Sequence, residues 1–253
     1  MSDKEKDRVK LIYRFDFDNG THQDFEIELD ADTMGLVLES NRPHPEWTKL
    51  KYHQCENCPL PDTEEYCPVA VNLASLVESF KDSISFERTT VTVQTKERVF
   101  QKDTTLQKGL SALIGIYMVT SNCPIMDRLR PMVRFHLPFA TSKETVYRAV
   151  SMYLTAQFFI MRKGGVPDWE LKNLSEIYKA ISIVNRGVSK RISHASHKDA
   201  NVNAVVILHS VGESLPYVIE NGLNDIEPMF TQYVRQLEEL QGIAPTGNSP
   251  GMK

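Results

Sequence analysis

Apolar residues at Val9, Leu11, Tyr13, Phe15 and Phe17 alternate with mostly polar neighbours, and after Asn19-Gly20 the alternation resumes at Phe25, Ile27 and Leu29. A period of two lines one face of a strand, and Asn-Gly accepts the positive φ angles of a tight turn, so a β-hairpin is predicted. A second hairpin is expected in residues 83–103, where β-branched residues surround a polar turn near Lys96-Glu97. Between the two, prolines at 43, 45, 59 and 61 exclude a helix and leave Cys55 and Cys58 in a loop. From Tyr66 the period lengthens. Val69, Leu73, Leu76, Val77 and Phe80 recur at helical spacing, with Pro68 suited to the first turn and Cys67 at or near the N-cap.

The remainder reads as helix. Thr104 and Gln107 have capping-box spacing before a stripe of Leu106, Leu110, Leu113, Ile114 and Tyr117, which should end before "SNCP", where Cys123 precedes Pro124. Thr141 and Glu144 repeat the capping pattern ahead of a helix over 142–162 that Gly164-Gly165 stops. Pro167 and Asp168 should open another, carrying Leu171, Leu174, Tyr178 and Ile181, and further helices are expected over 200–219 and 225–240. The fold class is therefore α+β: two β-hairpins in one antiparallel sheet, with a large C-terminal helical part. We divide the chain into a strand-rich region (1–103) holding the cysteine loop (49–67) and one helix, a helical region (104–242) packed on it, and a flexible tail (243–253), together one integrated domain.

Composition narrows the setting. A chain of 253 residues with 41% hydrophobic and 25% charged residues can bury a core without needing a metal to fold. The net charge of −4 gives no general attraction to nucleic acid or an anionic membrane. The densely charged start, "MSDKEKDRVK", is not followed by an apolar signal core, and "LSALIGIYMV" and "YLTAQFFIM" are shorter than the roughly 20 residues of a spanning helix. A cytoplasmic protein without membrane attachment is the expectation. Thiols stay reduced there, so cysteines suggest a metal before they suggest disulfides.

The cysteines are spaced Cys55-x2-Cys58-x8-Cys67, with Cys123 distant. A C-x2-C turn lets two thiolates grip one ion, and remote ligands complete a tetrahedron that ties two parts of a fold together. Cys67 and Cys123 both stand before proline at a helix start, where free N–H groups favour a thiolate. A structural zinc site of Cys55, Cys58, Cys67 and Cys123 is the reading we favour, with His53 as an alternative ligand. Four thiols already suffice, so His53 reads first as a polar loop residue. An iron–sulfur cluster or a thiol redox site on the same cysteines is the rival, and unligated buried or loop thiols are the plain alternative, since cysteine is commonly buried as a small apolar residue.

Other chemistry is thinner. Arg128, Arg130, Arg134 and His136 follow Cys123 closely and could receive an anionic ligand or an acidic protein partner, though such clusters are commonly solvated. His194 and His197 could share a helix face, but no acidic residue stands between them in the zincin manner, and a solvated helix end is the simpler reading. His209, on an apolar helix, reads as a satisfied core histidine. G-x-G-x-x-G, G-x4-G-K-[ST], G-x-S-x-G and H-E-x-x-H are all missing. Cys123 with His136 as an enzyme's nucleophile and base is the weakest idea, so a binding or regulatory protein is expected rather than an enzyme.

The combination "YHQCENCPL", "YCPVAVNL" and "SNCPIMDRLRPMVRFHLPFAT" resembles an uncharacterised conserved bacterial family, of the domain-of-unknown-function type, over most of the chain. The resemblance implies a bacterial cytosolic setting and carries no activity, substrate or cofactor.

Overall fold

A computed structural model describes residues 7–37 and 44–243; Pro43 and the tail from 244 onward lie outside the described residues. The two hairpins are β1 (Arg8–Phe17) with β2 (His22–Asp30), and β3 (Arg88–Gln94) with β4 (Val99–Thr105). They join through β1 and β3 into one antiparallel sheet of order β2-β1-β3-β4. The register sets Tyr13 opposite both Phe25 and Val93, and Phe15 opposite both Gln23 and Val91. Alternation then puts Leu11, Tyr13, Phe15, Ile27, Leu29, Val91 and Val93 on one buried face. The opposite face carries charge pairs such as Arg8 with Glu28 and Lys10 with Glu26. The edge strand β4 is charged or polar along much of its length, which discourages pairing with a further strand.

The helices are α1 (Pro68–Ser79), α2 (Leu106–Val119), the short α3 (Pro131–Arg134), α4 (Ser142–Arg162), α5 (Lys172–Ala195), α6 (Ala200–Glu220) and α7 (Thr231–Leu240). The main core joins the sheet to α1, α2, α5 and α6 and so draws on both sides of residue 103. A second cluster, with Val146, Ala149, Tyr153, Leu174, Tyr178 and Leu215, binds α4 to α5 and α6. By length and composition alone α6 is apolar enough to cross a membrane. It packs against α2 and α5 with Ala204, Val205 and Leu215 buried.

Three local expectations need correction. No capping box opens α2, because Thr104 is paired with Thr89 in the sheet and Thr105 takes the N-cap without a side-chain bond. The strand runs straight into the helix, and the first-turn N–H groups of Leu106 and Gln107 reach the carbonyls of Glu87 and Ser85 at 2.8 and 3.0 Å. α5 begins at Lys172, not at Pro167. Asp168 stays in the loop, accepting from Asn173 N–H and from the Tyr153 hydroxyl, both at 2.8 Å, while Leu171 takes φ +60° just ahead of the helix. The expected helix over 225–240 splits into a 3-10 turn (Glu227–Met229) and α7, since Pro228 supplies no N–H to a continuous ladder. The capping box of Thr141 and Glu144 and the helix over 142–162 are found as expected.

Gly109 shows how closely α2 meets the sheet. A Cβ there would stand 2.7 Å from Val91 Cγ2 and 2.9 Å from Phe15 Cε1, and neither of those side chains has exposed surface. Overpacking of this kind costs about 1–3 kcal/mol, while alanine in place of glycine returns about 1 kcal/mol of helix propensity. Gly109→Ala should therefore lower the thermal midpoint by several degrees despite the better helix former; a midpoint at or above wild type would show that α2 can shift off the sheet.

Candidate functional site

The cysteine loop is closed at its base by short backbone bonds: Leu50 N–H donates to Glu65 O and Cys67 N–H to Thr48 O, each at 2.8 Å. Inside it, Cys58 N–H donates to Cys55 O at 3.0 Å, the turn expected of C-x2-C, and Asn57 Nδ2 pins that turn to the Ala180 carbonyl of α5 at 2.9 Å. Cys67 is the N-cap of α1, with Pro68 in the first turn. Cys123 follows α2, and its carbonyl accepts from Asp127 N–H at 2.9 Å as the chain enters a 3-10 turn (Met126–Leu129). All four cysteines are free; Cys67 and Cys123 are buried, Cys55 and Cys58 half-buried.

α5 forms the wall on which these segments meet. Gly187 lets the loop sit against the helix backbone, since a Cβ there would fall 2.6 Å from Cys55 Sγ. One turn later Arg191, 1% exposed, extends under the loop. Its Nη1 donates to Trp47 O at 2.9 Å and to Lys49 O at 2.7 Å, and its Nη2 to Leu50 O at 2.7 Å. Among the described residues no carboxylate lies within ion-pair distance of it, although a buried cation is costly without an opposing charge.

Electrostatics tie the thiols to one another. Burial pushes the Cys55 thiol up to about 12, with Cys67 adding to the rise, the Arg191 guanidinium opposing it, and Cys123 and Cys58 contributing further. Burial also raises Cys123; the N–H groups of Met126 and Ile125 pull the other way, and Cys67 and Cys58 add to the rise. Each is the signature of a neutral thiol held among other thiols. As their side chains are placed, no three Cys, His, Asp or Glu residues among the described residues form a group that would hold an ion.

His53 stands apart from this group. It is exposed at φ +48°, and its ring lies 4.8 Å from that of His194 and 4.9 Å from that of Tyr52. His194 and His197 do not share a helix face. α5 ends at Ala195, so His194 bonds back to Lys190 O at 2.9 Å while His197, beyond the end, pairs with Asp82 at 2.7 Å. His209 is half-buried and satisfied by Ser182 Oγ at 2.9 Å and Glu213 at 3.3 Å.

The basic segment after Cys123 is spread over different surroundings. Arg128 and Arg134 are exposed, with no ion pair among the described residues. Arg130 pairs with Asp127 and donates to Asn122 Oδ1 at 2.8 Å. His136 turns inward and is hydrogen-bonded to the hydroxyl of Tyr13 in the sheet. Burial, and then the guanidinium of Arg148, bring its pKa down to about 3, so the imidazole is neutral in the fold.

Two of the residues that matter most, Gly187 and Arg191, left a signal in the sequence. Ile181, Val184, Val188 and Ile192 set the apolar face of α5, and Arg191, seven residues after Val184 and three after Val188, falls on that face. A glycine inside a helix costs about 1 kcal/mol and commonly has a packing reason.

These features describe an α+β protein in which the cysteine loop, the start of α1 and the turn after α2 bring four free thiols near α5 and its buried arginine. The chain belongs to the family described as "Domain of unknown function (DUF6901)", whose model matches residues 11–231. No curated protein and no solved structure gives a significant match to it.

Proposed function

We propose that the protein is a metal-stabilised binding or regulatory protein of a reducing compartment, in which Cys55, Cys58, Cys67 and Cys123 take one structural zinc ion. The observation that carries this reading is the pairing of four mutually interacting free thiols, drawn from three separate segments, with the buried and otherwise uncompensated charge of Arg191. Zinc bound by four thiolates bears net negative charge, which is what Arg191 lacks. Taking the ion requires the four side chains to turn toward one another and give up their protons, as metal binding to thiols does. With every position filled by protein the ion would be a staple and not a reaction centre. It would tie the loop, the start of α1 and the turn after α2 to a single point.

An iron–sulfur cluster on the same thiols is the alternative. Elemental analysis and an absorption spectrum of anaerobically purified protein separate the two. About one zinc per chain, lost in Cys55→Ser, together with a lower thermal midpoint after chelation, is the expected result. Iron with sulfide and a broad visible band would replace zinc with the cluster. Metal-free protein whose midpoint chelators do not move would overturn both.

A further inference from the structure

Away from the thiols, a cavity of about 440 Å³ opens between β4, α2, the segment after Cys123, α4, α5 and α6, within the size range of sites for small molecules. Its wall is mostly apolar: residues such as Ile116, Met132, Leu137, Ile181 and Leu208 supply most of it. The charged residues that line it are of one sign. Lys102, Lys108 and Arg148 border it, and among the described residues no Asp or Glu does. Lys102 and Lys108 are exposed and mark the open side, Lys102 lying 5.9 Å above the Phe139 ring.

Arg148 is half-buried deeper in. Nη2 donates to Met132 O at 3.2 Å, but Nε is sealed from solvent and has no partner. Glu144, one turn earlier on α4, is occupied by the Thr141 capping box and lies beyond ion-pair distance. On the same wall Asn185 is 2% exposed and its Oδ1 is also unpaired. Nη1 of Arg148 is neither sealed nor bonded among the described residues, so it is the donor open to a ligand on this wall. His136 and Tyr178, both neutral and both near Arg148, complete a polar end without adding a competing anion.

We propose that this cavity binds an anionic amphiphile, a carboxylate on an apolar body, with the carboxylate on Arg148 and the body against the α2, α5 and α6 wall. The guanidinium offers its accessible Nη1 to a carboxylate oxygen, and Lys102 and Lys108 draw the anion toward the opening. This site needs none of the cysteines and stands whether or not they hold a metal.

Calorimetric titration of the full chain with decanoate and, separately, with decan-1-ol tests it. Decanoate should bind one to one and at least about tenfold more tightly than the alcohol, the loss expected for one charge-assisted hydrogen bond. Arg148→Gln should erase that preference while leaving the alcohol's affinity unchanged. Ala112→Phe, which fills the cavity from α2 and leaves Arg148 in place, should abolish binding of both without lowering the thermal midpoint. No saturable binding of decanoate, equal affinity for acid and alcohol, or undiminished binding in Ala112→Phe would each overturn the proposal.

Discussion

Replacing Arg191 by methionine is expected to lower the unfolding free energy by about 3 kcal/mol or more, since three carbonyls lose a charged donor and each such bond is worth about 1.5–3 kcal/mol. The hydrocarbon portion is largely preserved, so the loss measures the guanidinium. Its three bonds, to the carbonyls of Trp47, Lys49 and Leu50, hold the near end of the cysteine loop against α5. Without it those carbonyls face an apolar side chain. Arg191→Lys should recover only part of the loss, because a single ammonium cannot reproduce the fork that reaches three acceptors. Urea unfolding of the two variants checks both statements. A methionine variant within about 1 kcal/mol of wild type would mean that water reaches the loop base and replaces the arginine.

Acidification should destabilise the fold through His136. The histidine is protonated in the unfolded chain below its ordinary value of 6.5, whereas the folded protein keeps it neutral down to about 3. The unfolded state therefore binds more protons between those values, and stability falls as the pH drops through that window. The contribution is fully present above about pH 6.5, is reduced by about 2 kcal/mol at about pH 5, and goes on falling toward the folded value. The groups facing the ring make this direction firm: Tyr13 is held neutral by burial, and Arg148, Lys102 and Lys108 on the same cavity are all cations. Imidazole signals followed by NMR should show His136 still neutral at about pH 5. A His136→Phe chain should have a shallower loss of stability over the same interval. Protonation of His136 near its ordinary value of 6.5 would remove the effect.

The hairpins and most helices were legible because their signals are local. Alternation at Leu11, Tyr13 and Phe15 and the Asn19-Gly20 turn specify a strand pair without reference to anything distant. At the start of α2 a tertiary bond has overridden a local pattern, whereas the break before α7 follows from Pro228 itself. Thr104 is drawn into the sheet and its capping role passes to the carbonyls of Glu87 and Ser85. The cysteines were picked out by spacing, yet the residue that gives their neighbourhood its charge lies on α5, more than a hundred residues beyond the loop, and only its position on an apolar face betrays it. His136 was grouped with Arg128 and Arg134 because they are close in sequence. A short helical turn points it the other way, toward Tyr13. The cavity has no linear signature at all, since six separate segments build it.

The ten residues from Cys123 to Met132 have a double attachment. At one end Cys123 sits among the thiols; a turn later Met126, Leu129 and Met132 form part of the cavity wall. A change in ligation at the sulfurs that moved this stretch would also move part of the cavity wall, since only ten residues join the two. Thermodynamic reciprocity then requires that whatever factor an ion applies to a cavity ligand's affinity, the ligand applies to the ion's.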